Sequence, residues 1–197
     1  MPVIKCDPVE ARERLASVGV EIEPGNTTHE QWRASTDEAT AVAYEDKVVV
    51  QGSRPWSLAG HLEDRGGRAY VYFDGASRGN PGPAAAGWVI VTDEGIVAES
   101  GERIGRATNN EAEYEAIIRA LAAARDLGFD RVDVRGDSEL IIRQLTGVYQ
   151  VSAPNLREKR ATARELLESF ESWDLQHVPR EVNDRADDLA DEALDDR

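Results

Sequence analysis

The spacing of apolar positions along this chain changes several times, and each change marks an element. Asp7-Pro8 leads into VEARERLASVG, where a cap residue, a proline in the first turn and Gly19 as stop predict a helix. Val20–Glu23, Gln31–Ser35, Ala39–Tyr44 and Lys47–Gln51 read as strands, the last two joined by a tight turn at Glu45-Asp46. Pro55–Asp64 reads as a helix. Residues 65–67, Arg-Gly-Gly, then break every period and serve as a linker. Residues 1–64 are thus expected to form a small α+β domain.

A second unit, residues 68–197, has a different rhythm. Ala69–Asp74, Ala85–Thr92 and Gly95–Arg103 are strands of a meander, the last two turning at Asp93-Glu94. Thr108 and Glu111 form a capping box for a helix that runs to Leu127 and stops at Gly128. Arg131–Arg135 is a strand with Val132 and Val134 on one face. Ser138–Thr146 and Pro154–Ser172 are helices, Trp173–Val178 is a strand and Val182–Asp195 a final helix. That order specifies an α/β fold, a mixed sheet with helices on both faces.

Charge changes the picture. Thirty-eight acidic residues against 23 basic ones give −15, and the only lysines are Lys5, Lys47 and Lys159. Such a surface repels a polyanion at ordinary salt. It suits a cytosol of molar salt, where the Debye length falls to about 3 Å, so a halophilic protein is expected. The single Cys6 rules out an intrachain disulfide and is expected to be inert. No apolar run approaches a membrane span and no signal-like stretch opens the chain, so the expected location is cytoplasmic. Trp88 and Trp173 fall in strands and read as core. Trp32 and Trp56 read either as core or as an exposed stacking surface, to which Tyr44 would add.

The chemistry gathers around YVYFDGASRGNPGP, residues 70–83. An apolar run ends on Asp74 and enters a segment so rich in Gly and Pro that it reads as an open turn. Three further acids sit where the elements can bring them close: Glu113 early in the long helix, Asp137 after the fourth strand and Asp187 in the last helix. Strands one and four, if adjacent and parallel, put Asp74 and Asp137 side by side. Clustered carboxylates cannot all stay ionised without cations, and hard oxygen ligands favour Mg²⁺ or Mn²⁺. A pair of such ions is the machinery of phosphodiester cleavage.

FDGASRGNPGPAAAGWVI, TNNEAEYEAI, GDSELI and NDRADDLADEA, in this order and spacing, resemble the motifs of type 1 ribonuclease H across residues 68–197. The resemblance implies a ribonuclease H-like five-stranded sheet and endonucleolytic hydrolysis of the RNA strand of an RNA–DNA hybrid, leaving 5′-phosphate and 3′-hydroxyl ends. It implies that Asp74 bridges two metal ions and that Glu113 and Asp137 hold the ion at the leaving oxygen. Asp187 would serve the ion that activates water, with Asp184, Asp188 and Asp191 as neighbouring alternatives. Gly75, Ala76 and Asn110 match positions that meet the hybrid's minor groove, where the 2′-hydroxyl distinguishes RNA; Ser77 and Asn80 are weaker candidates that also suit turns. Two departures from the family's bacterial form stand out. Residues 147–154 are too short for a basic, Trp-rich protrusion, and HVPREVN lacks a Gly-rich turn bearing a mobile His. His177 and Arg180 are therefore rival candidates for product release. The strands of residues 1–64 are similar to the substrate-binding domain of type 3 ribonuclease H. The alternative function is a non-catalytic nucleic-acid binding module of the same fold, and a monomer is the expected state.

Overall fold

Asp7 starts the first helix as expected: its Oδ1 accepts the Val9 N–H at 2.8 Å, and Pro8 occupies the first turn. This computed structural model describes residues 2–62 and 66–195. Arg65 of the expected linker, the Glu63-Asp64 end of the expected second helix, Met1 and Asp196-Arg197 lie outside the described residues. The chain divides into two compact units, residues 1–66 with 126–128 and residues 67–125 with 129–197.

In the first unit, β1 (Val3–Ile4), β2 (Ile22–Pro24), β3 (Trp32–Ser35), β4 (Ala39–Ala43) and β5 (Val48–Gly52) form an antiparallel sheet in the order β1-β5-β4-β3-β2. Alternate residues Trp32, Ala34, Ala41, Ala43, Val48 and Val50 face inward and pack with Ala11 and Leu15 of α1 (Pro8–Ser17) and Leu58 and Ala59 of α2 (Trp56–Ala59). Burying a Leu or Val there contributes about 1.5–3 kcal/mol each, and the many alanines less. Two expectations are corrected. The helix expected from Pro55 is a single turn among the described residues. Trp32 and Trp56 are buried, 5% and 6% exposed, so neither offers a stacking surface. Trp32 donates its indole N–H to the Pro8 carbonyl at 2.8 Å, which satisfies the ring's one polar atom inside the core.

The second unit is built from β6 (Arg68–Ser77), β7 (Gly82–Thr92), β8 (Gly95–Ala107), α3 (Asn109–Asp126), β9 (Arg131–Gly136), α4 (Glu139–Leu145), α5 (Pro154–Glu168), β10 (Ser172–His177) and α6 (Asp184–Asp195). Its sheet runs β10-β9-β6-β7-β8; β10, β9 and β6 pair in parallel, β7 pairs antiparallel to β6 and β8 antiparallel to β7. The fold is therefore a mixed α/β sheet of five strands with helices, as the chain's rhythm specified. Phe73, Trp88, Tyr114, Ile117, Leu121, Ile141, Leu145 and Leu167 are fully buried.

Strand β6 is longer than expected. Gly75, Ala76 and Ser77 do not open a turn; they continue the strand opposite Ala86, Ala85 and Ala84. A Cβ on Gly75 would lie 2.1 Å from the Glu113 backbone nitrogen, so this glycine serves the close approach of α3 and not chain flexibility. On the other side, the parallel pairing with β9 ends at Tyr72 opposite Arg135. Asp74 thus lies beyond the last parallel rung yet well inside the antiparallel ladder.

Cross-strand partners share a face of the sheet, and Asp74, Gly87 and Gly101 form one row across β6, β7 and β8. A Cβ on Gly87 would meet the Ala186 carbonyl at 2.2 Å, and one on Gly101 the Leu189 carbonyl at 2.1 Å. The two bare positions are the seat of α6. They set its height above the sheet and place it beside Asp74.

Candidate active site

Each acid reaches the site from a different element. Asp74 comes from β6 and Glu113 from the second turn of α3, whose start is fixed by the expected capping box: Glu111 Oε2 accepts the Thr108 N–H at 2.7 Å. Asp137 follows β9 directly, after Gly136, where a Cβ would strike the Phe73 ring at 2.5 Å. Asp74, Glu113 and Asp137 each offer an oxygen, and these lie within 4.8 Å of one another. Asp74 and Glu113 are each only 6% exposed.

Burial is the main force on these acids, and their neighbours add to it. Desolvation, then the charges of Asp137 and Asp187, push Asp74 up to about 7, while Arg180 pulls the other way. Glu113 is raised well above its ordinary value, by burial first and then by Asp74 and Asp137; a hydrogen bond from the Gly75 N–H opposes the rise. Its Oε2 is buried with no hydrogen-bond partner among the described residues. A buried carboxylate oxygen without a donor, on a side chain clustered with two other carboxylates, is a costly arrangement for a protein alone. It suits a hard divalent cation.

Asp187 is near but differently engaged. Arg180, in the short 3₁₀ turn Arg180–Val182, sets its Nη2 2.7 Å and 2.9 Å from the two Asp187 oxygens. Its guanidinium is held even more firmly protonated by that bond. The structure thus brings three of the four expected acids into one cluster and leaves the fourth beside it, paired with Arg180. Asp184, Asp188 and Asp191 are exposed on α6. His177 ends β10, exposed, with Nε2 3.2 Å from the Asp137 carbonyl oxygen.

Around the cluster, Ala76 and Asn110 are half-buried and Gly75 is buried. Ser77 bonds the Ala107 carbonyl at 2.8 Å and Asn80 Oδ1 accepts the Asn109 N–H at 3.2 Å, so both tie the loop to the start of α3. Between α4 and α5 the loop of residues 146–153 holds no helix. One side chain in the site drew no attention in the sequence. Asn183 is 1% exposed, and its Nδ2 donates to the Phe73 carbonyl at 2.9 Å and to Asp137 Oδ1 at 3.3 Å. An Asn just before a helix reads as a cap, and nothing in the residue pattern distinguishes it from one.

Known proteins match either the second unit or the whole chain. A family model described as reverse transcriptase-like matches residues 72–193. A ribonuclease HI of Halobacterium salinarum is 58% identical over 198 residues and spans the whole of both chains. The crystal structure of RNase H1 from that halophilic archaeon superposes with a TM-score of 0.65 at 62% identity, covering 66% of this chain and 99% of that one. LC11-RNase H1, solved in complex with an RNA/DNA hybrid, matches with a TM-score of 0.61 at 46% identity, covering 64% of this chain and 96% of that one. A bifunctional protein of Mycobacterium tuberculosis is 43% identical over 130 residues, 65% of this chain and 36% of its own length.

Proposed function

The chain belongs to the ribonuclease HI family, and on that premise we propose that it cuts the RNA strand of RNA–DNA hybrids endonucleolytically, leaving 5′-phosphate and 3′-hydroxyl ends. The observation that carries this reading is the buried convergence of Asp74, Glu113 and Asp137 in a chain 58% identical, end to end, to a ribonuclease HI. Asp74, Glu113, Asp137 and Asp187 are the proposed catalytic and metal-holding residues, with Asp74 shared between two Mg²⁺ or Mn²⁺ ions. When bound, the ions supply charge for the attacking and leaving oxygens and lower the pKa of water. Glu113 and Asp137 would hold the ion on the leaving side and Asp187 the ion on the water side. Asp187 must part from Arg180 to do so, which frees a guanidinium at the rim for a phosphate. Arg180 is accordingly favoured over His177 as the residue that helps product leave. The Gly75 and Ala76 backbone and Asn110 face the minor groove, where an acceptor or donor for the 2′-hydroxyl selects RNA.

The protein is proposed to be a cytoplasmic, halophilic monomer, with residues 1–64 as a domain separate from the nuclease of residues 68–197. A substrate-holding role for the first domain no longer has Trp32 behind it. Tyr44, half-buried with Lys47 6.0 Å from its ring centroid, remains. A chain beginning at Arg65 is expected to cleave hybrids with a raised KM and a much smaller change in kcat. An unchanged KM removes the binding role.

Asp74→Asn tests the chemistry. It removes the shared charge without changing size, so hybrid cleavage should fall by orders of magnitude while the fold persists. Assays with Mg²⁺ or Mn²⁺ on hybrid, duplex DNA and duplex RNA separate the hydrolase from a binding module. Substantial turnover by the variant at saturating metal would refute the assignment.

A further inference from the structure

Asn183 is not one of the four acids, yet it touches the supports of three. The Phe73 carbonyl can only accept, so the group 2.9 Å from it is the amide NH₂, and the same Nδ2 lies 3.3 Å from Asp137 Oδ1. Phe73 precedes Asp74, and the backbone N–H groups of Ala186 and Asp187 both bond to the Asn183 carbonyl where α6 begins. One amide group therefore spans the opening left where β6 and β9 stop pairing.

Capping alone does not explain this side chain. A helix cap uses its side-chain oxygen to accept from the first turn. Asn183 Oδ1 instead has no partner among the described residues, while its NH₂ is spent on the site. We propose that Asn183 is a positioning residue of the cation site, fixing the orientation of the Asp137 carboxylate and its separation from β6 so that a metal ion finds its ligands in place. The proposal rests on the reading of the carboxylate cluster as a metal centre. Asn183 acts through Asp137 and through the start of α6.

The test is Mn²⁺ binding to the substrate-free full chain, followed by calorimetry at fixed pH and salt, with thermal unfolding and steady-state cleavage alongside. Asn183→Ala and Asn183→Ser are compared with Leu167→Ala, which opens an ordinary core cavity at a fully buried position. Partners of metal ligands typically change affinity by about 10–100-fold when removed. Both Asn183 variants are expected to bind Mn²⁺ at least about tenfold more weakly, to lose most of the metal-induced rise in Tm, and to lower kcat more than they raise KM. Leu167→Ala should melt earlier yet bind Mn²⁺ as the wild type does. If Asn183→Ala fails to fold, the serine variant decides, since its hydroxyl keeps a polar group at the buried position without reaching both partners of the amide. Wild-type Mn²⁺ affinity in a folded Asn183 variant overturns the proposal alone. A wild-type protein that binds no Mn²⁺ overturns the metal-centre reading and the proposal with it.

Discussion

Gly87→Ala is the sharpest probe of how the fold sets the site, because it adds one methyl opposite Asp74 and changes no charge. That Cβ would sit 2.2 Å from the Ala186 carbonyl oxygen and 2.6 Å from the Ala190 nitrogen, whereas ordinary contact begins near 3.4 Å. Both obstacles are helix backbone, which cannot rotate aside. The helix α6 must therefore withdraw by about 1 Å to restore normal separations. Overpacking of this kind costs about 1–3 kcal/mol of stability. The same movement carries Asp187 and Asn183 away from Asp74, and a misplacement of about 1 Å can cost about 10²-fold in rate. Thermal unfolding and kcat on a defined hybrid at saturating metal measure the two effects separately. If Gly87→Ala melts earlier but keeps the wild-type kcat, the seat of α6 does not govern the site, and the reasoning fails.

Two other outcomes are expected. Asp74, raised to about 7, keeps a proton in the folded chain that the unfolded chain has already released. Metal-free stability should therefore be greatest on the acid side and fall as pH rises from the ordinary carboxylate range through about 7. Melting in chelator at about pH 5 and about pH 8 checks this; Asp74→Asn should flatten the slope, and an equal slope in the variant speaks against Asp74 as its source. With a net charge of −15, Tm should climb as KCl is raised from low to molar concentration, because unscreened carboxylates repel. A flat or falling Tm would favour an ordinary mesophilic surface.

The sequence was most legible where one local force decides. The capping box at Thr108, the cap at Asp7 and the alternation of Val132 and Val134 depend on neighbours a few residues apart, and all stand where expected. The convergence of Asp74, Glu113 and Asp137 was legible because ordered motifs fixed their elements. What misled was Gly75 read as part of an open turn. Gly75, Gly87 and Gly101 each make room for another element's backbone, and that need arises only once the chain has folded. Trp32 was ambiguous for a similar reason, since its burial depends on the Pro8 carbonyl, 24 residues away. The two-residue β1 and the site role of Asn183 carry no periodic or compositional signal at all.

The position of Asp74 within the β6–β7 ladder has a consequence for how the protein meets its environment. A carboxylate on a free loop can drift from its neighbours and relax their repulsion. Asp74, hydrogen-bonded in register opposite Gly87 with three more paired residues beyond it, cannot. The sheet acts as a frame that keeps like charges pressed together, and only bound protons or cations release the pressure. Cation concentration and conformational stability then become one thermodynamic variable, since any ion that prefers the folded frame stabilises it by mass action. Cells that let their free divalent ions fall would soften this molecule as well as silence it.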